Sequence, residues 1–125
     1  MHNFSPEEFA REWVAAWNRS DAEAVLAHYA DNAVFVSPLA ATVTGNPEVR
    51  GKDALRAYWT KALRSRPGPP QFSLESLVWD ERTRALLVIY LSTESGRIVR
   101  KCELMHFGKD GCIQRGEGFG GAAVR

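Results

Sequence analysis

Residues 13–38, WVAAWNRSDAEAVLAHYADNAVFVSP, constrain the fold more than any other segment of the chain. Phe9, Trp13 and Trp17 recur four apart, which gives a helix one bulky aromatic face. Ser20 followed by Glu23 has capping-box spacing and predicts a second helix directly after the first. Ala22, Val25, Leu26 and Tyr29 share a face of that helix, and Asp31-Asn32 is expected to end it. Val34-Phe35-Val36 then supplies strand residues that run into a Ser37-Pro38 corner.

The flanking segments extend this pattern. Ser5-Pro6-Glu7-Glu8 opens the first helix, with Ser5 as cap and Pro6 at the first helical position. Residues 39–51, with Gly45, Pro47 and Gly51, read as a loop. A third helix follows, carrying Leu55, Tyr58, Trp59, Ala62 and Leu63 on one stripe, and Arg-Pro-Gly-Pro-Pro at 66–70 stops it. Beyond Gln71 the helical period gives way to strands at 72–79, 85–92, 97–107 and 113–119, separated by turn-prone residues. Three helices before a four-strand antiparallel meander predict an α+β fold with the helices on one face of the sheet. The whole chain, 1–125, reads as a single domain.

Composition narrows the function classes. A formal net charge of +1 argues against a nucleic-acid partner. No apolar run approaches the roughly 18 residues that would span a bilayer, so no membrane role is expected. MHNFSPEEF lacks a basic stretch followed by an apolar core, which predicts a cytoplasmic protein without a secretory signal. In that compartment Cys102 and Cys112 read as two reduced thiols. With three scattered histidines and no CxxC or HExxH spacing, neither a metal nor another cofactor is expected.

The order W-N-R-S-D, Y-A-D-N-A-V-F, GKDALRAYWTKAL and MHFGKDGCIQ resembles the nuclear transport factor 2-like superfamily over nearly the whole chain. Ketosteroid isomerases, SnoaL-like polyketide cyclases and limonene-epoxide hydrolases belong to that group. The resemblance implies a cone-shaped, strongly curved antiparallel sheet covered by the three helices and enclosing one pocket. It also implies a small hydrophobic ligand and a homodimer joined through the outer face of the sheet.

Strand alternation sets Val99, Lys101, Glu103, Met105 and Phe107 on one face of 97–107 and Ile98, Arg100, Cys102, Leu104 and His106 on the other. The first set has the more continuous apolar side and is assigned the inner face. A desolvated Glu103 there would favour its neutral form, while a nearby Lys101 would oppose that by pairing with it. A purely structural Lys101–Glu103 pair is the other reading.

In ketosteroid isomerases a protonated carboxylic acid beside a tyrosine donates to an enolate oxygen. The resemblance puts Glu103 at that acid, Trp13 at the tyrosine and Ser37 at the aspartate base. An indole donates a single N–H and is not acidic, and serine has no useful basicity unaided. Steroid isomerisation by that route is therefore not expected.

Limonene-epoxide hydrolases use an Arg-x-Asp pair on the same strand with a further aspartate on the last one. Lys101, Glu103 and Glu117 stand near those positions. Ile113, Arg115, Glu117 and Phe119 share parity, so one register turns Glu117 inward. The other register turns Gly116, Gly118 and Gly120 inward instead, and both remain open.

Trp13, Trp17, Tyr29, Phe35, Tyr58, Trp59 and Phe119 can line a cavity, with Ser37 and Met105 beside them. Helical spacing explains aromatic residues equally well as core, as for Phe9 and Phe35. Of the adjacent Tyr58 and Trp59, one is expected at the pocket and the other against the sheet. His28, His106 and the dispersed arginines read as structural or surface groups. Three functional readings follow. The first is an acid/base enzyme (isomerase-, cyclase- or hydrolase-like) centred on Glu103. The second is water addition by Lys101, Glu103 and Glu117, and the third a non-catalytic ligand-binding or dimerisation domain.

Overall fold

A computed structural model describes residues 4–124; the first three residues of the segment read for a leader lie outside them. Helix α1, Pro6–Asn18, starts where Ser5 caps it by accepting from the Glu8 N–H at 3.2 Å. It buries Phe9, Trp13, Val14 and Trp17 on one side. At its end the Asn18 side chain accepts from the Phe72 N–H at 2.7 Å and donates to the Phe72 carbonyl at 3.0 Å. That pair ties the helix to the first residue of a distant strand and satisfies its backbone.

Three local expectations are corrected. Ser20 is not the cap of the second helix; it adopts φ 58°, and Asp21 caps α2, Ala22–Leu26, by accepting from Ala24 N–H at 3.0 Å. A carboxylate at a helix start satisfies the same free donor and also meets the positive end of the dipole. The helix is five residues long, and Tyr29 opens strand β1, Tyr29–Val36, instead of lying on its face. Pairing decides this: the His28 carbonyl accepts from Ile113 N–H at 2.8 Å, so the chain is already committed to a sheet.

The expected loop after Pro38 contains helix α3, Pro38–Thr44, and strand β2, Glu48–Arg50, which pairs with β1. Ser37 caps α3 by accepting from Ala40 N–H at 3.2 Å, and Gly45 ends it at φ 85° in the left-handed region. Ser-Pro was a helix start, as Ser5-Pro6 is, with Pro at the first helical position in both. Helix α4, Lys52–Arg64, buries Leu55, Tyr58 and Trp59.

The four C-terminal strands form as expected: β3 Phe72–Asp80, β4 Ala85–Glu94, β5 Arg97–Phe107 and β6 Ile113–Phe119. With β1 and β2 they build a six-stranded curved sheet in the order β2-β1-β6-β5-β4-β3. The sheet is mixed, because β1 runs parallel to β6 while every other pair is antiparallel. Among the described residues four helices, not three, accompany it. The register shifts within the β3–β4, β5–β6 and β1–β6 pairs, irregularities of the bulge kind that bend a sheet locally.

The inner face is set by register. Leu86 pairs with Met105 and Val88 with Glu103, and all four are buried. Across the next pair Met105 faces Gly116 and Glu103 faces Gly118. A Cβ on Gly116 would lie 3.0 Å from both Phe35 Cδ1 and Tyr29 Oη, so the close approach of β1 requires glycine there. On the outer face the Arg100 guanidinium grips Glu75 with two bonds of 2.7 and 2.9 Å.

A candidate active-site cavity

A cavity of about 300 Å³ opens between α1, α3, α4 and the inner face of the sheet. Trp13 and Trp17 come from α1, Phe35 from β1, and Tyr58 and Trp59 from α4. Trp59 is the hub of this aromatic wall. Its ring meets Trp17, Tyr29 and Phe35 edge-on at 5.1, 5.3 and 5.4 Å. Both Tyr58 and Trp59 line the cavity, which corrects the expectation that only one of them would.

Glu103 is the one carboxylate buried in this wall, 7% exposed among the described residues. Its Oε2 accepts from the Tyr29 hydroxyl at 3.4 Å, a long bond. Its Oε1 points toward the space beside Gly118, where an added Cβ would be 3.9 Å away. Burial pushes the Glu103 pKa up to about 8, and the Tyr29 bond offsets only part of that. Burial likewise raises Tyr29 well above its ordinary value, helped by the Glu103 charge. Tyr58 and Tyr90 are raised for the same first reason.

Ser37 is buried and its Oγ serves two neighbours, accepting from the α3 backbone and lying 3.4 Å from the Tyr58 hydroxyl. Trp13 contributes a ring, stacked near Phe72 at 6.1 Å and edge-on to Tyr90 at 5.2 Å. Its Nε1 is buried and has no hydrogen-bond partner among the described residues.

Four sequence-derived placements are corrected. Lys101 lines the cavity but forms its ion pair with Glu94, not with Glu103. Glu117 pairs with Leu104 on the outer-face parity, because the glycines on either side of it are the residues that face Phe35, Tyr29 and Glu103. Met105 is fully buried core beneath the sheet and does not line the cavity. Phe119 does line the cavity at the edge of its opening, 43% exposed, although it pairs with Cys102 on the outer parity. Tyr29 does not line the cavity either; it stands behind Glu103 and holds its carboxyl.

The structure also adds residues. Tyr90 and Glu94 reach the cavity from β4, Leu39 from α3, and Arg66 from the turn after α4. Tyr90 shares strand parity with buried Leu86 and Val88, so alternation in residues 85–92 carried a signal for it. Leu39 had none while its helix went unrecognised. Cys102 and Cys112 are both free thiols. No helix of the described residues is long and apolar enough to cross a membrane. Among those residues no three His, Cys, Asp or Glu side chains converge as metal ligands would.

A curved six-stranded sheet accompanied by helices places the chain in the α+β class. The chain matches the SnoaL-like domain over residues 10–116 and belongs to that family. A SnoaL-like protein of unknown function from Burkholderia thailandensis is 30% identical, covers 94% of each chain and superposes with a TM-score of 0.80. An NTF2-like protein of unknown function from Cytophaga hutchinsonii shares the fold at 14% identity, 94% and 91% coverage and a TM-score of 0.67. A candidate ketosteroid isomerase from Kribbella flavida does so at 17% identity, 96% and 80% coverage and a TM-score of 0.71. No curated protein matches the sequence.

Proposed function

We propose that this protein is an acid/base enzyme on a small hydrophobic substrate, with Glu103 as the group that gives or takes the proton. The supporting observation is the carboxyl itself: 7% exposed, on the cavity wall, with a pKa of about 8. Such a group is mostly neutral at pH 7 yet ionises within easy reach, the condition for efficient proton transfer. Tyr29 donates to Oε2, which leaves the proton of the neutral acid on Oε1, the oxygen toward Gly118. From there it donates to a substrate oxygen or, once ionised, accepts a proton from carbon beside a carbonyl. Isomerisation and cyclisation both need that step. Ser37 and Tyr58 offer a second polar contact in the same wall.

The water-addition reading loses support because Glu117 faces away and Lys101 is engaged by Glu94. Steroid isomerisation also lacks its groups, since Ser37 is a helix cap and Trp13 presents a ring. Robust conversion of a β,γ-unsaturated ketosteroid, abolished by Ser37→Ala, would contradict this.

The decisive test is Glu103→Gln, which keeps shape and hydrogen bonding but removes the titration. Turnover of a substrate found by screening should fall by about 10²-fold or more, with ligand affinity held within about tenfold. Full activity in that variant would remove Glu103 from the chemistry. The reading extends to a homodimer through the outer sheet face, where Val78 is 58% exposed. Sedimentation at micromolar concentration checks it, a purely monomeric species counting against it. Two free thiols fit a reducing cytoplasmic setting, which cell fractionation tests.

A further inference from the structure

The cavity wall carries a second polar cluster that takes no part in proton transfer at Glu103. Lys101 pairs with Glu94, whose Oε2 also accepts from Ser92 Oγ at 2.9 Å. Arg66 lines the same cavity and its charge acts on Glu94. Its Nε donates to the Gly68 carbonyl at 3.2 Å, and it forms no salt bridge among the described residues. These groups lie toward solvent: the Lys101 and Glu94 side chains are 29% and 35% exposed, and neighbouring Leu39 is 53% exposed. They mark the mouth, with Glu103 at the deep end.

The charges do not cancel. Arg66 and Lys101 are positive and Glu94 is negative, so the mouth holds one net positive charge. The remaining titratable group of the lining, Glu103, has its pKa raised to about 8 by burial and is mostly neutral at pH 7. Around them the wall is largely aromatic, a low-dielectric surround in which one unbalanced charge acts strongly. Arg66 brings to this entrance a guanidinium that forms no salt bridge among the described residues. A guanidinium is also the side chain best shaped to grip a carboxylate with two parallel bonds.

We propose that the cavity takes an organic monoanion: a flat apolar body with a carboxylate held at the mouth by Arg66 and Lys101, and a neutral oxygen presented to Glu103. This rests on reading the Glu103 cavity as the ligand site and adds the charge of the ligand. Lys101 and Glu103 are two residues apart on one strand, about 7 Å of backbone, a separation that an aromatic ring system with substituents at both ends spans. Partial exposure of the mouth keeps the desolvation cost of the carboxylate low.

Calorimetric titration with a hydroxynaphthoic acid and with the matching naphthol, which lacks the carboxylate, tests this. The acid should bind about tenfold tighter, and the preference should shrink as salt is raised. Arg66→Gln should reduce the acid-to-naphthol ratio by about fivefold, whereas Glu94→Gln, which leaves the mouth more positive, should increase it. Opposite signs from two neighbouring substitutions separate charge from general damage to the cavity. Equal binding of the two probes, each displacing the other, would overturn the anion inference and leave the cavity reading standing. A preference that neither variant moves would overturn it too. Binding of neither probe at millimolar concentration would remove the cavity as a site for such ligands and this inference with it.

Discussion

Glu103 and Glu94 are two glutamates on one cavity wall, and their chemistry diverges. Glu103 sits on β5 at the deep end, with a single tyrosine hydroxyl for company, and its pKa rises to about 8. Glu94 sits on β4 at the mouth. Burial pushes its pKa upward as well, but bonds from Lys101 and Ser92 outweigh that and the net shift is downward. The same side chain is thus a reserve of protons in one place and a fixed anion in the other. What separates them is the number of donors within reach and the water still available, both set by position along the strands.

The most disruptive way to erase the difference is to give Glu103 its own cation. Val88→Lys, opposite Glu103 in the β4–β5 register, would bury a charge beside it and should pull its pKa below neutrality. Any pH profile of turnover should lose its limb near pH 8, at a cost in stability of several kcal/mol from the packed core. An unchanged limb in a folded variant would show that another group titrates.

Packing around the deep carboxyl gives the next largest effect. Gly116→Ala would press a methyl within 3.0 Å of the Phe35 ring and the Tyr29 hydroxyl, whereas at Gly118 the nearest atoms lie at 3.5 Å or more. Denaturant titration should show a loss of about 1–3 kcal/mol at 116 and much less at 118. Gly118→Ala should instead weaken ligand binding, because its methyl enters the space Oε1 faces.

The pH dependence of stability follows from the same contrast. Glu103 has a folded pKa above its unfolded value of 4.5, so the unfolded chain releases this proton first. Its favourable contribution is complete below pH 4.5 and declines as the pH rises toward about 8. Tyr29, Tyr58 and Tyr90 face it and stay neutral throughout that window, since burial raises all three. Glu103→Gln should flatten the decline; an identical slope in the variant would exclude Glu103 as its source. For Glu94 the sign is reversed, with stability complete above about 4.5 and lost as the pH falls from there through its lowered pKa, and the partly exposed pair should make this effect small.

The smallest effect belongs to Tyr29. Tyr29→Phe removes the one bond to Oε2 and should cost about 1 kcal/mol while moving the Glu103 titration upward. A downward shift would mean that the hydroxyl does not stabilise the carboxylate.

The sequence alone determined the elements whose signals are local. Ser5-Pro6 marked the first helix, the 66–70 break ended the last one, and alternation in residues 72–119 drew four strands with nearly the observed limits. Alternation also put Glu103 on the inner face, because parity within a strand needs no partner. It did not say what Glu103 would meet. Tyr29 lies 74 residues away in sequence and reaches it only because β1 joins the sheet in parallel beside β6. That pairing, invisible to any local pattern, also chose the register of the last strand by placing the Phe35 and Tyr29 rings where Gly116 leaves room. Glu117 turned outward as a consequence. Lys101 stands opposite Tyr90 in the hairpin and reaches along it to Glu94, four residues further on β4, rather than to Glu103 on its own strand. Residue type and spacing set which faces are buried; contacts between distant segments decided which buried carboxyl has no cation beside it, and burial raises the pKa of that one.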